Sequence, residues 1–181
     1  MDFGILRDIS PVELELMRAW RNSPDIRANM YTRHVISQQE HIEWWNKTAV
    51  REDQQYFMYE FNGKPTGIVS FNGIDKVNRN SRWAFYAAPT AEKGTGSRME
   101  FLALNYAFDE LKLHKLCCEV LEFNAAVVKL HQKFGFRIEG VLKEQHIVEN
   151  KYVDIYCMGI LASEWIGFRV SIENRLKSFV R

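Results

Sequence analysis

Apolar positions along the chain switch between a period of two and a period of about 3.6, and each switch marks an expected change between strand and helix. Residues 4–9 form a short apolar run that predicts an opening strand. Ser10-Pro11-Val12-Glu13 combines a capping box with proline at the first helical position, which predicts a helix to about Arg21. Asn22-Ser23-Pro24 breaks that helix, and the capping box Ser37-Gln38-Gln39-Glu40 opens another that carries His41, Trp44 and Trp45. Residues 56–61 and 66–71 read as strands joined through Asn62-Gly63, a dipeptide that tolerates the positive φ of a hairpin. Residues 82–88 add a third strand, ended by Pro89.

Downstream, Phe101, Leu104, Phe108 and Leu111 recur at helical spacing and predict a helix over about 96–112. A strand over 116–121 follows. Asn124 is the expected N-cap of a helix to Phe134, with Gly135 in the C′ role. Residues 136–142 and 152–160 read as a closing strand pair, and Ser163 as the cap of a last helix bearing Trp165, Phe168, Ile172 and Leu176. No repeat, low-complexity tract or linker interrupts the pattern. The expectation is a single α+β domain over 1–181, a mostly antiparallel central sheet flanked by helices, with a strand–glycine loop–helix at its centre.

Composition narrows the function. The 181 residues are 46% apolar and 26% charged, an ordinary globular balance. Lys and Arg total 24 against 23 Asp and Glu, so the basic stripe of a nucleic-acid binder is not expected. No run reaches the roughly eighteen apolar residues of a membrane span, and the N-terminus carries no basic-then-apolar leader pattern. Cys117, Cys118 and Cys157 have neither metal-ligand nor disulfide-framework spacing and read as small core residues. A cytoplasmic protein without a metal is the expectation.

The chemistry centres on the loop Glu92-Lys93-Gly94-Thr95-Gly96-Ser97. Glycines let a backbone approach an anion closely, and the N–H groups at a helix start point toward it with the positive end of the helix dipole. A P-loop requires Gly-Lys-Ser/Thr, and here Gly96-Ser97-Arg98 stands instead. The dinucleotide fingerprint requires a third small residue, and here Met99 stands. Ala91-Glu92-Lys93-Gly94-Thr95-Gly96 instead resembles the Q/R-x-x-G-x-G/A pattern of the GNAT superfamily of N-acetyltransferases, departing at Ala91. A second block, Asn124-Ala125-Ala126-Val127 through Leu130-His131-Gln132-Lys133-Phe134-Gly135-Phe136 and then Glu139-Gly140, is similar to that family's N-x-x-A-x-x-x-Y-x-K-x-G-F…E-G.

The resemblance implies an acetyl-CoA-dependent enzyme whose cofactor pyrophosphate rests on Glu92, Lys93, Gly94, Thr95, Gly96 and Ser97, with Asn124 on the pantetheine arm. It also puts His131 where the family has the tyrosine that protonates the departing thiolate. Histidine can donate that proton near neutrality; a satisfied core histidine is the other reading, with Tyr86 or Tyr106 as substitutes. For the base, Glu119 lies in an apolar run, Leu116 to Leu121, where burial would raise a carboxyl toward usefulness; pairing with Lys115 or Arg137 is the alternative.

The blocks Trp20-Arg21-Asn22-Ser23-Pro24, Met30-Tyr31 and His41-Ile42-Glu43-Trp44 resemble the subgroup that acetylates the 4-amino group of UDP-4-amino-4,6-dideoxy-N-acetyl-β-L-altrosamine, in pseudaminic acid synthesis for flagellin glycosylation. Arg21 offers a planar cation for an anionic group, and Met30, Tyr31 and Trp44 offer surface for a deoxysugar methyl or a uracil. Ser70 can hydrogen-bond the acceptor. Arg82, beside Lys76 and Arg79, either meets a diphosphate or belongs to a solvated basic turn. The expected partner is therefore a small-molecule amine, a UDP-amino sugar. Polyamine, N-terminal or ribosomal-protein acetylation, or CoA binding without catalysis, are the alternatives. The last helix either covers the core or serves a homodimer.

Overall fold

The computed structural model describes residues 3–178; positions 1, 2 and 179–181, which the single-domain expectation and the reading of the N-terminus took in, lie outside the described residues. Seven strands form one sheet: β1 (Ile5–Asp8), β2 (Gln54–Phe61), β3 (Lys64–Asp75), β4 (Asn80–Ala87), β5 (Lys115–Leu121), β6 (Arg137–Val148) and β7 (Lys151–Leu161). Their spatial order is β1-β2-β3-β4-β5-β7-β6. The β4–β5 pair is parallel and the other pairs are antiparallel, as expected. Asn62 and Gly63 turn the β2–β3 hairpin with φ of 51° and 72°.

Period-two alternation gives the sheet two apolar faces. Phe57, Tyr59, Val69, Phe71 and Trp83 point to one of them, where they pack with residues of α4 (Thr95–Asn105), α5 (Ala125–Lys133) and α6 (Ala162–Ser178). Met58 and Ile68 point to the other, where they meet Met17 and Trp20 of α1 (Leu14–Asn22), with Trp44 and Trp45 of α3 (Gln38–Thr48) alongside. The first face belongs to the glycine-loop helix and the second to the N-terminal helices, so the two helical layers lie on opposite sides of one sheet. Among the described residues no helix is long and apolar enough to cross a membrane.

Three helix boundaries differ from expectation. The first helix is split: Pro11–Glu13 is a tight turn closed by Glu13 N–H on Ser10 O (2.9 Å), and α1 starts at Leu14. The Glu13 carboxylate is occupied by Ser10 N–H (2.9 Å) and both terminal nitrogens of Arg7 (2.9 and 2.7 Å), which anchors the turn. A short α2 (Pro24–Arg27) follows the break. The helix expected over 96–112 ends at Asn105, and Tyr106–Glu110 winds one residue wider, with Leu111 N–H on Tyr106 O. The wider turn seats the Tyr106 ring 4.8 Å from Phe57 and 5.5 Å from Phe71. Finally, α6 begins at Ala162 directly after β7, and the Leu161 N–H donates to Glu164 (2.9 Å), so Glu164 anchors the start where Ser163 was expected to.

The second capping box is realised by half: Ser37 Oγ accepts from Glu40 N–H at 3.2 Å, while the Glu40 carboxylate meets His34 at 2.8 Å instead of the Ser37 N–H. Ser37→Ala is expected to destabilise the protein by about 1 kcal/mol, read as a lower denaturant midpoint at unchanged slope.

Candidate active site

β4 and β5 pair only at Asn80–Lys115, Ser81–Leu116 and Arg82–Cys117. Beyond that point β4 follows β3 and β5 follows β7, so the two strands separate. The gap is a cavity of about 330 Å³ walled by residues 83–87 of β4, 118–121 of β5, and Asn124, Val127 and His131. A second cavity of about 330 Å³ lies on the α1–α3 face, lined by Arg21, His41, Trp44, Tyr56 and Ser70 among others. The two share Met30, Ala84, Phe85 and Tyr86, so they meet across β4.

The glycine loop leads into α4 beside the first cavity. Gly94 stands at the N-cap with φ +92°, a backbone state that only glycine adopts without strain. The first-turn N–H groups of Gly96 and Ser97 have no intrahelical acceptor and are therefore available to an anion. Thr95 departs from its expected role. Its side chain is buried, its hydroxyl accepts from Arg98 Nη2 at 3.0 Å, and its N–H is bonded to Glu92 O, so it braces the loop from beneath. Arg98 in turn donates to Tyr59 Oη (3.1 Å) and lies over Phe61. Glu92 and Lys93 are exposed on the outer rim. Asn124 caps α5 through its carbonyl, which accepts from Val127 and Val128, and its side chain makes no cap bond. The amide is left for the cavity that Asn124 lines.

His131, only 3% exposed, lines the cavity on the α5 side. Its ring stands against Trp83, Phe85 and Phe136, with centroids 5.4, 6.0 and 5.2 Å away. Its Nδ1 is 2.8 Å from Oε1 of Glu100, a residue of α4 with no exposed surface. Oε2 of that carboxyl is buried without a partner. Burial pushes the Glu100 carboxyl up, and the neighbouring imidazole opposes the rise.

Glu119 is exposed, and this corrects the reason it was singled out. Strand alternation sends Leu116, Cys118 and Val120 into the core and turns Glu119 to the opposite face. It pairs with neither Lys115, which binds Glu139 at 2.7 Å, nor Arg137, which binds Glu164 at 2.8 Å. Its Oε2 instead accepts from Tyr31 Oη at 2.9 Å, and its Oε1 lies 3.7 Å from Arg82 Nε. Burial, then the carboxylate itself, push the Tyr31 phenol up. Tyr31 thus closes the rim of the first cavity, with its ring 5.1 Å from His146.

The second cavity has a polar floor and an aromatic wall. Tyr56 Oη donates to Asn72 Oδ1 (2.9 Å), Asn72 Nδ2 to Ser70 Oγ (3.2 Å), and Ser70 Oγ to Ala84 O (3.3 Å). Trp44 packs edge-on against Tyr56, with centroids 5.3 Å apart. Arg21 is tied down by one nitrogen, Nη2 on Thr32 O at 3.1 Å, while its Nη1 is buried without a partner. Tyr86 Oη, at the junction of the cavities, is likewise buried and unpartnered. Burial lowers the Arg21 guanidinium and raises the Tyr86 phenol. Unpaired buried donors of this kind are costly unless a ligand completes them.

A sequence-family profile described as "Acetyltransferase (GNAT) domain" matches residues 5–137. The chain belongs to the GNAT acetyltransferase family. Acetyltransferase PseH of Campylobacter jejuni is 30% identical over 131 residues, 72% of this chain and 81% of the relative. Spermidine N(1)-acetyltransferase of Escherichia coli is 25% identical over 163 residues, 90% of this chain and 88% of the relative. The structure of spermidine N-acetyltransferase from Vibrio cholerae, in complex with CoA and spermine, superposes with a TM-score of 0.84 at 27% identity, covering 90% of this chain and 97% of that one. The protein is an acetyl-CoA-dependent N-acetyltransferase, and the seven-stranded, mostly antiparallel sheet is the fold of that family.

Within this GNAT enzyme the expected residues divide in two. Asn124, His131, Tyr31 and Glu119 converge on the first cavity, beside the glycine loop; Arg21, Trp44 and Ser70 converge on the second, and Met30 touches both. Arg82 lines neither and sits at the rim on Glu119, while Lys76 reaches only Glu52, at 3.7 Å. Sequence reading missed Glu100, and it named Tyr86 only as a spare acid. Tyr86 alternates along β4 with Phe85 and Ala87, which betrays its face; nothing local betrays the partner of Glu100. Among the described residues no cluster of His, Cys, Asp and Glu side chains suits a metal ion.

Proposed function

We propose that this acetyltransferase acetylates the 4-amino group of UDP-4-amino-4,6-dideoxy-N-acetyl-β-L-altrosamine, in pseudaminic acid synthesis for flagellin glycosylation. The observation that carries the proposal is the Arg21 guanidinium, which lines the second cavity and whose Nη1 is buried there without a partner among the described residues. At 4 Å and an effective dielectric of 20, two unit charges interact by about 4 kcal/mol. That energy favours an acceptor that brings an anion or carbonyl to Arg21 and opposes one that brings ammonium groups. Among the described residues the one carboxylate lining the cavity, Glu40, is already engaged by His34 at 2.8 Å. Trp44 and Tyr56 offer the flat apolar surface that a deoxysugar methyl or a uracil ring requires. The similarity to Acetyltransferase PseH supports this reading. In this reading Glu119, facing the acceptor side, takes the proton that the attacking amine loses, and His131 returns one to the departing sulfur.

A polyamine acceptor is the second reading, favoured by the spermidine acetyltransferases' similarity over 90% of this chain. The purified protein, given acetyl-CoA and a panel of the UDP-amino sugar, spermidine and N-terminal peptides, is expected to release CoA fastest with the UDP-amino sugar. Turnover of spermidine with none of the nucleotide sugar would overturn the assignment.

A further inference from the structure

Glu100 is buried to 0% exposure on the helix that carries the glycine loop, and it touches one functional group, the Nδ1 of His131. A carboxyl with its second oxygen unpartnered is a poor choice for packing, since an apolar side chain of that size would avoid its desolvation cost. The ring it holds is wedged among Trp83, Phe85 and Phe136, so with Nδ1 committed the other nitrogen, Nε2, is the one left without a partner among the described residues. The imidazole lines the gap between β4 and β5, beside Asn124 and Val127.

We propose that Glu100 is a positioning residue: its carboxylate accepts Nδ1–H of the His131 imidazolium and so aims the second proton, on Nε2, into the cleft, where it protonates the departing thiolate. The arrangement ties the anion cradle at the start of α4 to the acid on α5 through one hydrogen bond. The step balances. The amine nitrogen bonds to the thioester carbonyl carbon, the carbon–sulfur bond breaks, and the sulfur electron pair takes the proton from Nε2. The proton lost by the amine, passed through a base and solvent, restores Nε2, while Nδ1–H stays on Glu100 throughout. The logic is that of a carboxylate orienting a histidine in a triad, and it rests on His131 being the acid.

Three single variants and one double variant test it, on the full-length protein with acetyl-CoA and whichever amine it turns over. Glu100→Leu is expected to lower kcat about a hundredfold, with the KM for acetyl-CoA changed less than about threefold and the melting temperature unchanged or raised. Glu100→Gln, which keeps shape and a carbonyl acceptor, is expected to lose less, about tenfold. In ¹⁵N spectra of the imidazoles, the neutral His131 signal is expected to move from the Nδ1–H form in the parent protein to the Nε2–H form in Glu100→Leu. His131→Phe is expected to lose kcat to the same degree, and the double variant to lose no more than the worse single one. If His131→Phe loses kcat while both Glu100 variants keep it, the positioning role falls and the acid stands. If His131→Phe keeps full kcat, the acid reading itself falls, and this inference with it.

Discussion

Gly96→Val is expected to weaken CoA binding about a hundredfold, or about 2.7 kcal/mol, while Gly96→Ala changes it less than about threefold. A Cβ at Gly96 would lie 3.3 Å from Leu130 Cδ2 and 3.5 Å from Phe85 Cε2, a tight contact that a few tenths of an ångström can relieve. The two γ-carbons of valine have no such room. They force the first turn of α4 away from β4 and α5, and the Gly96 and Ser97 N–H groups lose their common aim. Overpacking at one site costs about 1–3 kcal/mol of stability, which leaves the protein folded, so the loss is readable by calorimetric titration with CoA alone. Unaltered CoA affinity in Gly96→Val would mean that the cofactor's phosphates rest elsewhere. Because Gly96 does not line the second cavity and the titration uses CoA alone, the result does not depend on which amine is acetylated.

The glycine loop was legible in the sequence because its form is set by backbone. Gly94 and Gly96 are informative through what they lack, and the strand before them and the helix after them are local patterns. Asn124 was legible as the N-cap of α5, but the absence of a side-chain cap bond was not. Glu119 failed for a definable reason: an apolar run over 116–121 does not bury every member, since alternation sends odd and even positions to different faces. The paired registers of β5 with β7, from Lys115–Leu161 to Leu121–Ile155, set which face is which, and that pairing is non-local. Glu100 was invisible for the same cause. It sits between Met99 and Phe101 in a helical run, and its partner lies 31 residues away. The wide turn at Tyr106–Glu110 likewise follows from a tertiary demand, the seat of Tyr106 between Phe57 and Phe71. Local periodicity carries elements and backbone motifs, whereas charge pairs across the core appear only once the sheet has been assembled.

Arg21→Glu is expected to reverse the preference of the acceptor cavity. For the UDP-amino sugar, kcat/KM should fall about a thousandfold, close to the 4 kcal/mol of one charge interaction at 4 Å, and acetylation of spermidine should rise at least about tenfold. Arg21 and Tyr86 line one cavity, and each has a donor, Nη1 and Oη, that is buried without a partner among the described residues. Together they form a site for an acceptor atom that carries negative charge, and exchanging the guanidinium for a carboxylate inverts one of them. The introduced carboxylate gains Tyr86 Oη as a donor, which offsets part of its desolvation. Arg21 also holds Thr32 O, so a variant could act by loosening the loop that carries Met30 and Tyr31. Arg21→Gln separates these causes: its amide can keep the bond to Thr32 while the charge is gone. It is expected to lose about thirtyfold in kcat/KM for the nucleotide sugar and to gain little with spermidine. The affinity for CoA should stay within about twofold in both variants, since Arg21 does not line the cofactor cleft. Full activity of Arg21→Gln toward the UDP-amino sugar would remove the cation from acceptor recognition. A polyamine would then no longer be disfavoured in this cavity.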